Sequence, residues 1–147
     1  MTSGFRLQDF LPYQLSVASN AVSRAVAEGT GYEARFGLSA AEWRVLAAIS
    51  AGGAPTQAEV CAFTAMDKMT VSRAVAGLTH RRLVDRARDT RDRRTLRLAA
   101  TEEGRRIHDL VAPRALDVES RLLGVLSEEE ARLLRAALAR LRDAASS

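Results

Sequence analysis

The sequence predicts a mainly α-helical protein that carries one β-hairpin, and three observations lead there. Apolar residues recur at three-and-four spacing through most of the chain, the signature of amphipathic helices. The hydrophobic share is 47% but the aromatic share only 5%, so the core must be built from Leu, Val and Ala, residues that favour helix packing over sheets. The period switches to clear alternation in one place, Thr95-Leu96-Arg97-Leu98, which reads as a half-buried strand. A chain of 147 residues is of ordinary size for one compact domain, so a single unit over 1–147 is expected.

Taken in order, Leu11, Leu15, Ala18, Val22 and Ala25 or Val26 mark a first helix over about 8–28, ended by Gly29 and Gly31. Ser39-Ala40-Ala41-Glu42 is a capping box: the hydroxyl and the carboxylate three residues on satisfy each other's backbone donors. That helix runs through Trp43 to about Ser50, where Gly52-Gly53 breaks it. Thr56-Gln57-Ala58-Glu59 repeats the box at the head of a short helix to about Phe63. The next helix starts near Met66 or Asp67 and buries Val71, Val75 and Leu78. Residues 83–99 read as the hairpin, with Asp89-Thr90-Arg91-Asp92-Arg93-Arg94 as its charged tip. Thr101-Glu102-Glu103 opens a long helix whose apolar side is Ile107, Leu110, Val111, Val118, Leu122 and Val125. Pro113 lies inside this pattern and predicts a kink, since the period resumes after it. Ser127-Glu128-Glu129-Glu130 caps a last helix with Leu134, Leu138 and Leu141 on one face.

Charge is distributed unevenly along this order. From Lys68 to Arg97 there are ten basic and three acidic residues, a local charge of +7 in a chain of net +4, so the remainder carries −3. One basic block on an otherwise acidic protein is the footprint of a polyanion-binding surface. The block coincides with a short helix, a tight turn, a second helix and a hairpin, the arrangement of a winged helix-turn-helix over about 38–99. On a helical wheel of 67–81, Met69, Thr70, Arg73, Ala76, Gly77 and His80 fall opposite the buried stripe. Arg73 can pair with a guanine edge and Thr70 can read thymine or adenine, while Lys68 and Ser72 near the helix start suit phosphates. Ala76 and Gly77 leave room for close approach. Arg91, Arg93 and Arg94 at the end of a thin ribbon suit the narrow minor groove, with Asp92 expected to hold Arg94 or Arg91 in position. A winged helix also serves as a protein-interaction or RNA-binding module; the basic wing and small-residue face favour duplex DNA.

The stripes Leu11, Leu15, Val22 and Leu134, Leu138, Leu141 exceed what one small core covers, so a homodimer is predicted through helices of about 8–28 and 101–143. Ser16, Asn20 and Arg24 form a polar line on the first helix; with Trp43 and Arg44 they are candidates for an anionic aromatic ligand. Other classes find little support. Gly-x-Ser-x-Gly, a phosphate-cradling Gly-rich loop and a Cys-His pair are absent, so no catalysis and no cofactor are expected. His80 and His108 are too few and too far apart to argue a metal site. The single Cys61 excludes an intrachain disulfide and is expected to pack as a small apolar residue. No apolar run spans a bilayer and no basic-then-apolar leader begins the chain, so a cytoplasmic location is expected.

Three stretches carry a family resemblance: Leu38-Ser39-Ala40-Ala41-Glu42-Trp43-Arg44-Val45-Leu46, Asp67-Lys68-Met69-Thr70-Val71-Ser72-Arg73 and Arg91-Asp92-Arg93-Arg94. In this order and spacing the chain resembles the multiple-antibiotic-resistance regulator (MarR) family over nearly its whole length. The resemblance implies a homodimer with interlocking terminal helices, a recognition helix in each major groove and a wing in the flanking minor groove. It implies repression of a nearby gene, released by a small, often aromatic or phenolic acid. Thr70, Ser72 and Arg73 then contact DNA from the helix, and Arg93, with Arg91 or Arg94, from the wing. Two departures stand out: Arg82 occupies a position where many relatives have glycine, and the first helix lacks the cysteine of peroxide-sensing relatives.

Overall fold

The computed structural model describes residues 4–147. After a short 3-10 turn at Leu7–Asp9 come α1 (Leu11–Thr30), α2 (Tyr32–Phe36), α3 (Ala40–Ser50), α4 (Gln57–Thr64) and α5 (Lys68–His80). The hairpin β1 (Val84–Arg88) and β2 (Leu96–Ala100) follows, then α6 (Glu102–Leu123) and α7 (Glu128–Ala145). Among the described residues this is seven α-helices and one two-stranded antiparallel sheet, paired Val84 with Ala100 through Arg88 with Leu96. The five-residue α2 is an addition to the sequence expectation. Gly29 does not end α1; the break falls at Gly31, whose φ of 64° links α1 to α2.

The capping expectations are met at α3 and α7, where Ser39 with Glu42 and Ser127 with Glu130 each form both hydrogen bonds. At α4 only half of the box forms. Thr56 Oγ1 accepts the Glu59 N–H at 3.2 Å, whereas the Glu59 carboxylate lies 3.8 Å from the Arg97 guanidinium. A tertiary cation has drawn it away from the local bond. Pro113 lies within a continuous α6, where it lacks the N–H that would bond the Asp109 carbonyl.

The chain forms two compact units, Ala27–Ala115 and Met1–Val26 with Leu116–Ser147. The first has a dense apolar core. Leu38, Val45, Leu46 and Ile49 from the α3 region meet Val60 of α4, Val71, Ala74, Val75 and Leu78 of α5, and Leu83, Val84 and Leu98 of the hairpin, all buried. Ile107 and Val111 of α6 belong to the same unit and are also buried. Burying each such side chain contributes roughly 1.5–3 kcal/mol. The expected stripe of α6 is corrected at three places: Leu110 and Leu122 are exposed, and Val125 lies in the turn after the helix, 84% exposed. In the second unit Val118 is the one buried residue among those described, while Leu11, Leu15, Val22, Leu134, Leu138 and Leu141 all remain exposed.

Two backbone positions fix the join between α5, the hairpin and α6. Arg82 has φ 58°; its N–H bonds the Thr79 carbonyl and the Leu83 N–H bonds the Leu78 carbonyl, so α5 ends in a Schellman motif with arginine in the left-handed position. The Thr101 N–H bonds the Leu83 carbonyl, and its hydroxyl donates to the Arg82 carbonyl while accepting the Gly104 N–H. Gly104 is buried against this backbone: a Cβ there would lie 2.1 Å from the Leu83 carbonyl oxygen.

Replacing Arg82 with glycine removes left-handed strain, partly offset by the freer unfolded chain, and is expected to raise stability by about 0.5–1 kcal/mol in denaturant unfolding. Gly104→Ala forces backbone apart and is expected to cost about 3 kcal/mol or more in the same measurement.

Candidate nucleic-acid interface

The turn between α4 and α5 is made by Ala65, at φ 53°, followed by Asp67 as the cap of α5. Asp67 accepts the Thr70 N–H at 2.8 Å and the Thr70 hydroxyl at 2.7 Å, and these bonds hold its carboxyl below the ordinary aspartate value. The carboxylate already answers the positive end of the helix dipole. The Thr70 hydroxyl proton is committed to Asp67, which leaves its methyl group and lone pairs for any further contact.

The buried stripe of α5, Val71, Ala74, Val75 and Leu78, packs against α3 and α4 and turns the opposite face outward. Lys68, Met69, Ser72, Arg73, Ala76 and His80 are exposed there, Met69 at 65%. Thr70 and Gly77 are half-buried, on the flank that faces α3. A groove of about 370 Å³ runs along this flank, lined by Ser39, Ala41, Glu42, Thr70, Arg73 and Ala74. At Gly77 a Cβ would lie 2.8 Å from Glu42 Oε2, so the absence of a side chain leaves room for the Glu42 carboxylate on this flank.

The wing tip is shaped by its two aspartates. Asp89 accepts the Arg91 N–H at 2.8 Å and the Arg97 Nε–H at 2.8 Å, and these bonds hold its carboxyl below the ordinary value. Asp92 accepts the Arg94 N–H at 3.0 Å and the Thr95 hydroxyl at 3.2 Å. The expectation that Asp92 holds a guanidinium is therefore corrected: it holds the backbone beneath Arg94, and the guanidinium pair is Asp89 with Arg97. Arg88 Nη1 donates to the Arg93 carbonyl at 2.7 Å and braces the tip from β1.

These bonds sort the basic block. Arg81 donates to the Phe36 and Gly37 carbonyls, Arg88 to the tip and Arg97 to Asp89 and Ala54. Lys68, Arg73, Arg82, Arg86, Arg91, Arg93 and Arg94 are exposed, and among the described residues none of their side chains has a partner. Arg86 extends the surface beyond the residues singled out from sequence, its signal being membership of the basic block, and Arg82, noted there as a departure from the family pattern, joins it.

The candidate ligand residues fall in separate units. Ser16, Asn20 and Arg24 are exposed along α1 in one; Trp43 and Arg44 lie on α3 in the other. The Trp43 ring stacks with Tyr32 at 6.1 Å and with His108 at 5.8 Å between centroids. Burial raises the Tyr32 hydroxyl pKa, against the opposing charge of Arg44. Neither Tyr32 nor His108 carried a sequence signal for this stack, because its members come from three helices. Cys61 is half-buried. No group of metal-ligating side chains occurs among the described residues, and no described helix is long and apolar enough to cross a membrane.

A sequence profile described as the MarR family matches residues 36–95, from the end of α2 to the wing. Among curated proteins none matches. Among solved structures, a "probable transcriptional regulator" from Pseudomonas aeruginosa is 31% identical, with 92% of this chain and 99% of that one covered at a TM-score of 0.78. CouR from Rhodococcus jostii RHA1, solved bound to p-coumaroyl-CoA, is 28% identical, with 94% and 95% covered at 0.79. The PcaV transcriptional regulator from Streptomyces coelicolor, solved with its natural ligand, shares the fold at 24% identity, 98% and 99% coverage and 0.84. With helix, turn, recognition helix and wing in the family's order and a relative 31% identical over nearly its full length, this chain belongs to the MarR family of transcriptional regulators.

Proposed function

We propose that this chain is a sequence-specific duplex-DNA-binding repressor that works as a homodimer in the cytoplasm, without catalytic activity, and leaves its operator when a small ligand binds. The observation that carries the reading is the convergence of unpaired cations on α5 and the wing: Lys68 and Arg73 on the helix, Arg91, Arg93 and Arg94 at the tip. In the major groove Arg73 reads a guanine edge, Thr70 presents its methyl group, Met69 adds apolar contact, and Lys68 and Ser72 hold phosphates. The wing arginines enter the minor groove, where the negative potential is concentrated. Charge-poor interaction modules have no need of this concentration, and the exposed face of a helix fits B-form duplex better than the deep groove of A-form RNA.

The dimer reading rests on the terminal unit. Its exposed leucines on α1 and α7 form apolar surface that a two-fold partner would cover, and Val118 is the one buried residue described there. Helices of about 8–28 and 101–143 supply this role, apart from Ile107 and Val111, which are buried within the unit Ala27–Ala115. The ligand reading is supported by CouR, solved bound to p-coumaroyl-CoA, and by the donors Ser16, Asn20, Arg24 and Arg44 with the aromatic Trp43 as candidate contacts.

Fluorescence anisotropy on a duplex from upstream of the protein's own gene, against a scrambled duplex and across a salt series, tests operator recognition. The expected result is tight binding to the first only, with a salt slope reflecting several phosphate contacts. Arg73→Ala is expected to weaken that binding by roughly 5- to 150-fold and to narrow the gap between the two duplexes. Light scattering at micromolar concentration is expected to return about twice the 16.0 kDa of one chain; a single-chain mass overturns the dimer.

A further inference from the structure

Arg97 is the second residue of β2, opposite Ala87, and its side chain reaches three separate segments. Nε donates to Asp89 Oδ2 at 2.8 Å, at the base of the wing tip. Nη1 donates to the Ala54 carbonyl at 3.1 Å, in the loop before α4, and lies 3.8 Å from Glu59 Oε1 in the first turn of α4. Asp89 passes the restraint onward: its other oxygen accepts the Arg91 N–H, and its own N–H bonds the Thr95 carbonyl to close the tip. The main chain joins in at the same place, since the Leu98 N–H bonds the Pro55 carbonyl and Thr56 bridges Arg97.

An exposed, isolated ion pair contributes little. This arginine differs because it engages two carboxylates and a carbonyl at once, and because the Asp89 side chain is only 16% exposed. Its Nε and Nη1 are occupied by protein acceptors, so its position at the edge of the basic block does not make it a phosphate contact. A two-stranded ribbon by itself is marginally stable and flexible. Arginines at its end reach a groove reproducibly only when the ribbon is held at a set angle to the recognition helix, and restraint before binding lowers the entropy lost on binding.

We propose that Arg97 is a positioning residue that clamps the wing tip, through Asp89, to the Ala54 carbonyl and the Glu59 carboxylate of the helix-turn-helix. Its task is to set where the wing meets the duplex relative to α5. The functional part rests on the reading of the chain as a duplex-DNA-binding protein; the clamp itself does not.

The test compares Arg97→Met and Arg97→Lys with the full-length wild-type chain. Amide hydrogen exchange in the free protein is expected to rise on the order of tenfold across residues 89–95 in Arg97→Met, with α5 unchanged. On the upstream duplex the same variant is expected to lose roughly tenfold in affinity and the hydroxyl-radical footprint over the flanking minor groove, while a duplex trimmed of those flanks is bound as by wild type. Arg97→Lys keeps the charge but cannot engage three acceptors in a planar fork, so it too is expected to lose the flanking footprint. Adding Asp89→Asn to Arg97→Met is expected to cause no further loss, as for two members of one unit. Unchanged exchange at the tip overturns the clamp. Equal loss on full and trimmed duplexes overturns its wing-specific role, as does a flanking footprint that Arg97→Lys retains. A wild-type chain that binds neither duplex while the tip still loosens in Arg97→Met overturns the DNA reading instead.

Discussion

The seating of α5 on α3 is the constraint on which the rest of the unit Ala27–Ala115 depends. Val71, Ala74, Val75 and Leu78 are buried from one side of α5, and Val45, Leu46 and Ile49 from α3. A helix held along one stripe cannot roll, so its opposite face is fixed as the face that solvent or a ligand meets. Gly77 belongs to this contact, because the Glu42 carboxylate occupies the place of its side chain. Glu42 is held in turn by the Ser39 capping box. A local cap at the head of α3 thus places a carboxylate against the flank of α5.

The wing extends the same logic outward. Its root is joined to α5 by the Schellman turn at Arg82 and to α6 by Thr101, whose side chain and main chain bond the carbonyls of Arg82 and Leu83. Its tip is organised by Asp89 and Asp92, which accept main-chain N–H groups of Arg91 and Arg94 and so leave those guanidinium groups outward. Acidic residues in a basic loop look like a weakness when charge alone is counted. Here they are built into the loop as hydrogen-bond acceptors, and the cations that remain unpaired stand beyond them.

Much of this was legible in the sequence because its causes are local. The boxes at Ser39 and Ser127, the hairpin and the buried stripe of α5 depend on residues within a few positions of one another, and each was found where the pattern put it. The half-formed box at Thr56 marks the boundary of that method. The local pattern is correct, but Arg97, 38 residues further along the chain, competes for the Glu59 carboxylate. The five-residue α2 was missed because it is too short to show a period and has Tyr32 as its one buried residue.

The sequence by itself determined the order of every element but α2, the location of the basic block, the helix that carries Arg73 and the family resemblance, because periodicity, caps and net charge are additive over neighbours. Only the tertiary structure decided which cations are available. Arg81 and Arg97 count as charges in the block, yet each bonds a main-chain carbonyl more than 40 residues away. It also decided that Gly77 lies beside the Glu42 carboxylate, that Arg82 takes a left-handed backbone and that Trp43 stacks with Tyr32 and His108. Each of these depends on groups brought together by the burial of an apolar core, and their distances in space are not encoded in their separation along the chain.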